Sequence, residues 1–321
     1  MGRVSKALIL SLGVAFSVAA SAQDFPSKAV RFITGAAPGS SGDVLARVLG
    51  DAVSETWKQP VVIENRPGGG GAISSQAVLS APPDGHTVFI AAGSYLTITP
   101  ATTANLPYDV DRDFTPLAFL AEIPLVIGAR PGTPFRTLPE LIAYAKANPG
   151  KVNYAANTPG TFPNLATEYL AERAQIKLTF VPYKGSAAAL QDILGGRLDV
   201  AVEGVAAYAA AIKAAQMVPL AVTSERRDPT LPDVPAVAET IPGYSAIGFY
   251  AAMAHAKTPQ AMAAKLSADL RAALAQPAVS KRYADLGLYV KPMTREEVAA
   301  FIRKEREIWG GVVKRTGFAP R

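Results

Sequence analysis

A glycine- and serine-rich turn at residues 35–42, GAAPGSSG, has the residue types best suited to hold a charged group. The residues before it alternate as in a strand, with Val30, Phe32 and Thr34 on one side. After the turn, apolar residues recur at helical spacing from Asp43 onward, which predicts a helix with one buried stripe. At such a junction, unpaired backbone N–H groups and the helix dipole attract anions. The sequence therefore predicts an anion-binding turn.

Residues 1–22 have the composition of a secretory signal peptide. A positive start is followed by an apolar run over 7–20 and by a small-x-small cleavage site, Ala20-Ser21-Ala22. The apolar run is shorter than the ~20 residues that a membrane-spanning helix needs. The chain has no cysteine, so it has no thiol for a lipid anchor and no disulfide. We therefore expect a soluble mature chain that begins at Gln23 and captures a small solute outside the cytoplasm.

The charge of the chain favours small anionic partners. Without the two basic residues of the leader, 30 basic side chains stand against 26 acidic ones, a net charge of +4. The densest basic runs are short: Arg226-Arg227 is flanked by acidic residues, and 303–306 includes Glu305 on an amphipathic segment. Such dispersed charge does not form a nucleic-acid surface. We expect no nucleic-acid partner.

The usual catalytic and cofactor motifs are missing from the sequence. His86 follows a Pro-Pro-Asp-Gly turn, where packing is expected, and His255 has no carboxylate or nucleophile close in sequence. There is no G-x-S-x-G elbow, P-loop or G-x-G-x-x-G fingerprint, and no cluster with metal-ligand spacing. These absences remove the usual candidates for a catalytic site, and we expect neither a cofactor nor a metal. A secreted enzyme acting on a carboxylated substrate through Asp43 or Glu203 stays open as an alternative.

Strand-like and helix-like segments alternate along the chain, which predicts a mainly parallel, doubly wound α/β fold. The predicted strands are 30–34, 61–64, 87–91, 117–121, 125–129, 152–156, 178–182, 199–203, 219–223 and 246–252, and the predicted helices are 43–57, 72–80, 137–147, 161–173, 186–194, 206–214, 259–275, 278–286 and 294–316. Two long apolar runs, 117–129 and 246–254, would carry the chain between two domains. The first domain would be 23–122 plus 245–321 and the second 123–244, with a ligand cleft between them.

A set of short motifs in a fixed order resembles one family. They are 25–28 (FPSK), 37–43 (APGSSGD), 64–71 (ENRPGGGG), 83–87 (PDGHT), 106–109 (LPYD), 147–150 (ANPG), 181–185 (VPYKG) and 231–235 (LPDVP). Over essentially the whole mature chain, the order is similar to that of Bug-type periplasmic solute-binding proteins of the tripartite tricarboxylate transporter (TTT) system. The resemblance implies a two-lobed, type II-like periplasmic-binding-protein fold, with two doubly wound domains joined by crossing strands. It also implies a monomer that is not an enzyme and that delivers a small di- or tricarboxylate to membrane transporter subunits.

The resemblance assigns ligand contacts to loops of the first lobe. In the loop at 38–43, Gly39 and Ser40 would offer N–H groups and Ser41 a hydroxyl, although ordinary helix capping is the alternative. Asp43 would orient this loop rather than touch the anion. The family often has a second glycine where this chain has Ser40. The first-lobe candidates are Pro38, Gly39, Ser40, Ser41, Asp43 and, after strand 87–91, Ser94, Tyr95 and Thr97.

Further contacts are implied for the second lobe and for the second crossing run. Residues 157–164 follow a strand and open a helix, which repeats the anion-binding geometry. The family commonly has small residues and a histidine there, and Asp or Asn where this chain has Glu203. Phe162 would be a helix core residue or an apolar wall, and Glu203 would repel a carboxylate or accept hydrogen bonds. The candidates are Asn157, Thr158, Thr161, Phe162, Glu203 and Phe249.

Aromatic residues among the candidates suggest a hypothesis about the ligand. Tyr95, Phe162, Phe249 and Tyr250 would line an aromatic wall, so an aromatic or larger dicarboxylate is a candidate beside C4 acids. A receptor of the same fold that reports ligand occupancy to a membrane sensor also stays open, because the sequence does not distinguish the two kinds of partner.

Overall fold

The structure is a computed structural model that describes residues 25–156, 160–183 and 186–316. The predicted leader, Asn157 and Thr158 lie outside these ranges. The strands are β1 (Val30–Thr34), β2 (Val61–Asn65), β3 (Thr87–Ala92), β4 (Phe114–Ala129), β5 (Asn153–Ala156), β6 (Thr179–Pro182), β7 (Val200–Gly204), β8 (Val218–Val222) and β9 (Ile247–His255). The helices are α1 (Ser41–Trp57), α2 (Ala72–Leu79), α3 (Gly93–Thr97), α4 (Thr99–Thr102), α5 (Val110–Asp113), α6 (Leu138–Ala147), α7 (Phe162–Ala174), α8 (Ser186–Leu194), α9 (Val205–Lys213), α10 (Val237–Thr240), α11 (Gln260–Leu274), α12 (Pro277–Ala284) and α13 (Arg295–Arg315).

The strands form one mixed sheet with two doubly wound halves. Its order is β2-β1-β3-β9-β4-β7-β5-β6, and β8 pairs with β4 beside this path. Strand β1 is parallel to β2 and β3, and β5 is parallel to β6 and β7. Every pair that involves β4 or β9 is antiparallel. The prediction of a mainly parallel sheet is therefore wrong at the centre, because β4 and β9 carry the chain between the halves in opposite directions.

Strand β4 belongs to both halves of the sheet. The sequence predicts two strands, 117–121 and 125–129, but one strand of 16 residues runs through both. Its residues 114–124 pair with β9, and its residues 125–129 pair with β7 and, from Val126 onward, β8. The two predicted crossing runs thus correspond to β4 and β9, which lie side by side between the halves.

Helix α1 shows how the apolar pattern places the predicted turn. Leu45, Leu49 and Val53 recur four residues apart, are fully buried, and share one cluster with Phe32 of β1. This stripe fixes the helix against the sheet and leaves its first residues at the carboxyl end of β1. Within the described ranges, no helix combines the length and the apolar character needed to cross a membrane.

The C-terminal helix α13 packs into both halves of the molecule. Its Val298 and Ile302 join the cluster that contains Phe249 of β9, whereas Trp309 and Val312 join the cluster around β5 and α7. The predicted first domain includes 245–321, yet the last turns of α13 contribute to the core of the other half. The division into 23–122 plus 245–321 and 123–244 stays a prediction, to which α13 adds a third connection between the halves.

Candidate ligand-binding site

A cavity of about 240 Å³, here the first cavity, lies where β4 and β9 pass between the two halves. Its walls come from the start of α3 in one half, from the start of α7 and the end of β7 in the other, and from both crossing strands. The structure brings together five residues that the sequence analysis named separately: Ser94, Thr161, Phe162, Glu203 and Phe249. The cavity therefore has the position expected of an interdomain ligand site.

Seven residues that line the first cavity were not among the predicted ligand contacts. Tyr250 was named only for an aromatic wall, and the others were not named: Ala92, Gly93, Ile123, Leu125, Pro163 and Gly248. The sequence predicted the positions of the crossing runs. It did not indicate which alternate residues of these runs face the first cavity. At Gly248 an added Cβ would lie 3.3 Å from the Phe162 ring. Glycine there lets the phenyl ring approach β9 closely.

The first turn of α7 offers a backbone donor, the N–H of Phe162, to the cavity. The earliest hydrogen bond of that helix joins Leu165 N–H to Thr161 O at 3.0 Å. The N–H of Phe162 precedes that bond, and the positive end of the helix dipole lies with it. Asn164 stabilises the turn, since its Oδ1 accepts the Gly160 N–H at 2.9 Å and its Nδ2 donates to the Tyr154 hydroxyl at 2.8 Å. The arrangement suits a carboxylate held by neutral donors.

Glu203 is the one charged side chain among the described residues that line the first cavity. Its Oε1 accepts the Gly204 N–H at 3.0 Å. Burial raises the pKa of the neighbouring Tyr250, and the charges of Tyr95 and Glu203 raise it further, so the Tyr250 hydroxyl stays protonated at neutral pH. Glu203 thus provides a hydrogen-bond acceptor on one side of the cavity, whereas the start of α7 provides a hydrogen-bond donor.

The predicted anion-binding turn is organised by Asp43. This side chain is 3% exposed, and its Oδ2 accepts the Gly39 N–H at 2.8 Å. Its Oδ1 accepts bonds from Arg47 Nη2 and Asn65 Nδ2, both at 2.9 Å. Hydrogen bonding from Arg47, opposed by burial and assisted by Gly39 and Asn65, lowers the pKa of Asp43 to about 2. The carboxylate is thereby engaged by the groups of its own loop.

The rest of this turn lies outside the lining of the first cavity. Pro38, Gly39, Ser40 and Ser41 are exposed, and Ser40 Oγ donates to Ala37 O at 2.7 Å. The connection to the cavity runs through Gly42, where an added Cβ would lie 2.6 Å from the Tyr250 hydroxyl oxygen. Tyr250 therefore touches the turn at one end and the cavity with its ring.

Tyr95 and Thr97 have other partners than the cavity. The Tyr95 ring lies so close to Gly71 that a Cβ there would overlap it, and it stacks on Phe89 with centroids 6.4 Å apart. Thr97 is buried, and its hydroxyl donates to Gly93 O at 2.9 Å within α3. The aromatic part of the lining thus consists of Phe162, Phe249 and Tyr250.

A second cavity, of about 590 Å³, lies on the other face of the crossing strands. Its lining includes Glu122, Pro124 and Ile247, which alternate along the strands with Ile123 and Gly248 of the first cavity. The strand register pairs Pro124 with Ile247 and Ile123 with Gly248. Successive residues of a strand point to opposite faces of the sheet. The two cavities therefore lie back to back, with the β4–β9 ribbon between them.

Comparison with known proteins agrees with this architecture. A family model described as "Tripartite tricarboxylate transporter family receptor" (TctC) matches residues 45–318. Protein BugT of Bordetella pertussis is 33% identical over 311 residues, which cover 96% of this chain and 95% of BugT. A solved structure from R. palustris, Rpa4515 with adipate, is 28% identical with a TM-score of 0.82 and covers 92% of this chain and 100% of its own. MatC from Rhodopseudomonas palustris with bound malate is 30% identical with a TM-score of 0.76, over 90% of this chain and 100% of its own.

The fold and the sequence lead to the same assignment. The matched segment, 45–318, includes both crossing strands and every other strand of the sheet except β1. The likeness to BugT extends over nearly the full length of each chain. The chain belongs to the Bug-type (TctC) family of tripartite tricarboxylate transporter receptors.

Proposed function

We propose that this protein is a periplasmic binding protein that captures a small carboxylate in the first cavity and delivers it to the membrane subunits of a tripartite tricarboxylate transporter. The observation that carries the proposal is the position of the cavity, which both halves and both crossing strands enclose together. Relatives of the same family hold adipate and malate. The predicted leader at 1–22 would direct the chain to the periplasm.

The ligand carboxylate would bind at the amino end of α7. The N–H of Phe162 and the hydroxyls of Thr161 and Ser94 would donate to it, and the helix dipole would favour its charge. Asn157 and Thr158 belong to the same proposed loop. Because the donors are neutral groups, recognition would depend on geometry rather than on a charge partner. Phe162, Phe249 and Tyr250 would pack against the body of the ligand, which suits a longer aliphatic or an aromatic acid.

Closure of the two halves would complete the site. Strands β4 and β9 are the segments that could bend, and a ligand that touches both halves favours the shut state. The turn at 38–43 would approach the ligand on closure, with Gly39 and Ser40 offering N–H groups, Ser41 offering its hydroxyl and Asp43 holding the loop. No bond of the ligand is made or broken, so the acid would leave the protein unchanged.

A thermal-shift and calorimetric screen of residues 23–321 tests this function. The panel consists of succinate, malate, adipate, citrate, benzoate and phthalate. A ligand that binds only the native state stabilises it by RT ln(1 + [L]/Kd), ~2.7 kcal/mol at a hundredfold excess over Kd. We expect a clear stabilisation by one class of acid, with the acid recovered intact. Conversion of an acid into a product would favour the alternative of a secreted enzyme, and no binding by protein freed of bound metabolite would refute the proposal.

A further inference from the structure

A tryptophan of α13 lies directly behind the wall of the first cavity. Trp309 is 1% exposed, and its indole meets the Phe162 ring edge-on, with centroids 5.1 Å apart and an interplanar angle of 74°. The Phe162 ring also lies close to β9, since a Cβ added at Gly248 would be 3.3 Å from it. The phenyl ring is therefore held between the indole and the crossing strand. Its position in the cavity depends on where Trp309 lies.

Besides its contact with Phe162, the indole is held by one hydrogen bond and by a second aromatic ring. Trp309 Nε1 donates to Glu305 Oε2 at 3.0 Å, one turn earlier in α13. An indole has a single N–H donor, and a buried donor without an acceptor is costly, so this bond favours one orientation of the ring. Tyr169 of α7 packs edge-on against the same indole with centroids 6.2 Å apart. Glu305 is thus the polar anchor of the ring.

Glu305 connects this arrangement to the second cavity, whose lining it shares with Glu122 and Glu225. Burial raises the pKa of Glu305; the bond from Trp309 and the charge of Lys304 lower it, and the charges of Glu122 and Glu225 raise it. Helix α13 enters the cores of both halves on either side of Glu305. The contacts therefore form a continuous series from the second cavity, through Glu305 and Trp309, to Phe162 in the first cavity.

We propose that Glu305 and Trp309 are positioning residues for the first cavity: the Glu305 carboxylate fixes the Trp309 ring, the indole sets the Phe162 ring against β9, and the cavity thereby selects ligands by the width of their body. This inference rests on the proposed function for its ligand, but its contacts are independent of any ligand. Neither residue lines the first cavity. The selectivity of the site would then depend on a helix outside it.

The test uses residues 23–321 with Trp57→Phe, which leaves Trp309 as the only tryptophan of the chain. In this background, Glu305→Ala removes the acceptor, Glu305→Gln keeps an oxygen that accepts the indole N–H, and Glu307→Ala is an exposed control on the same helix. The readouts are the emission spectrum and acrylamide quenching of Trp309, and the ratio of the Kd values for adipate and phthalate by calorimetry.

We expect Glu305→Ala to shift the Trp309 emission, to increase its quenching, and to change the Kd ratio by about fivefold, within the range that such indirect positions reach. Glu305→Gln and Glu307→Ala should leave the ratio within twofold, on the order of measurement scatter. A purely structural role would weaken both acids alike and leave the ratio unchanged. A double-mutant cycle of Glu305→Ala with Phe162→Leu should be non-additive, because Glu305 acts through that ring.

The ligand-free readout separates the two proposals. If the parent protein binds neither acid while Glu305→Ala still alters the Trp309 emission, the ligand assignment fails and the contact series stands. If Glu305→Ala and Glu305→Gln have the same Trp309 emission, the positioning role is overturned. An unchanged adipate-to-phthalate ratio in folded Glu305→Ala protein overturns it as well.

Discussion

At the scale of single residues, the proposed function implies that Glu203 would restrict which chemical groups a ligand can place on one side of the first cavity. Its carboxylate borders a space that, in the described part of the lining, contains no lysine or arginine. Two negative charges 4 Å apart repel by about 1 kcal/mol in water and by about 4 kcal/mol near a protein surface. A ligand hydroxyl, amide or ammonium group would instead donate a hydrogen bond to Glu203.

Glu203→Gln should therefore improve the binding of dicarboxylates. The amide has the same size, and its oxygen still accepts the Gly204 N–H, so the change removes the negative charge while keeping that hydrogen bond. We expect the Kd of adipate to fall by about tenfold, which corresponds to about 1.4 kcal/mol, and the Kd of benzoate to stay within about twofold. Isothermal titration calorimetry at constant ionic strength measures both values. A weaker affinity for adipate would show that Glu203 supports the ligand rather than restricting it.

Asp43 stabilises the turn through its hydrogen bonds. Its negative charge should stabilise the folded protein over a defined pH range. Asp43→Asn removes a carboxylate that accepts from Gly39, Asn65 and the half-exposed Arg47, so a loss of about 1–3 kcal/mol is expected at neutral pH. The folded pKa is about 2 and the unfolded value about 3.9. The contribution of Asp43 is thus fully present above the unfolded pKa and is lost as pH falls through the folded one.

Urea unfolding of the parent protein and of Asp43→Asn, at neutral pH and near pH 3, measures this effect. The difference in unfolding free energy between the two proteins should be smaller near pH 3 than at neutral pH. At the lower pH, the negative charge of Asp43 stabilises the native state less relative to the unfolded chain. Asp51→Asn, an exposed change on the same helix, serves as the control and should have little effect. A difference that stays constant with pH would contradict the low pKa of Asp43.

At the scale of elements, α1 approaches β9 closely beside the site. Gly42 in the first turn of α1 lies against the Tyr250 hydroxyl, and the atoms around an added Cβ are 2.6–2.9 Å away. This contact fixes the predicted turn at a set distance from the first cavity. Tyr250 therefore lies between the turn and the first cavity. The sequence analysis named this residue only as part of an aromatic wall.

Gly42→Ala should destabilise the protein through this contact, although alanine is otherwise the better helix former. We expect a loss of about 1–3 kcal/mol from overpacking. Tyr250→Phe removes the nearest atom, so the double variant should recover part of that loss. Gly310→Ala in α13 is the matched control, because nothing beyond its chain neighbours and the helix's own backbone lies within 4 Å of its added Cβ. Chemical denaturation measures all four proteins, and strictly additive effects at Gly42 and Tyr250 would exclude the contact as the cause.

The elements also show how far the sequence could predict the fold and the site. Long periodic segments such as α1 and α13 were predicted nearly to their ends, because burial of one stripe requires that spacing. The four- and five-residue helices α3, α4, α5 and α10 were missed, since so short a segment has no measurable period. In β4, the sequence could not decide whether Ile123 or Pro124 faces the ligand side, because that depends on tertiary pairing. The loop at 38–43 was predicted from its composition, but its distance from the cavity depends on Tyr250.

At the scale of the whole molecule, the two halves are tied together more tightly than two crossing strands alone would allow. Helix α13 adds a third connection. On the face of the second cavity, the Tyr289 hydroxyl, which follows α12, donates to Asp228 Oδ1, which follows β8, at 2.8 Å. Asp228 is 2% exposed. These contacts join the cores of the two halves on both sides of the crossing strands.

We therefore expect the halves to unfold together. Differential scanning calorimetry of residues 23–321 should give one transition whose calorimetric and van't Hoff enthalpies agree, as they do for a cooperative unit. Saturating ligand should move that single transition upward. Trp309→Ala opens a cavity where α13 enters the second half, and it should lower stability by about 3–5 kcal/mol. Two separate transitions in the parent protein would show that the connections through α13 and β4 are weak.

The neutral donors of the first cavity have a consequence for the conditions under which the protein works. Dissolved ions screen charge pairs over a Debye length of about 8 Å at physiological ionic strength, and they weaken sites that depend on lysine or arginine. Since no such residue is present in the described lining, the Kd for a monocarboxylate such as benzoate should change by less than about threefold between roughly 0.05 and 0.5 M NaCl. Calorimetric titrations across that range check this, and a steep loss of affinity would indicate a cation at the site. A receptor outside the cytoplasm would then keep its affinity while the salinity around the cell varies.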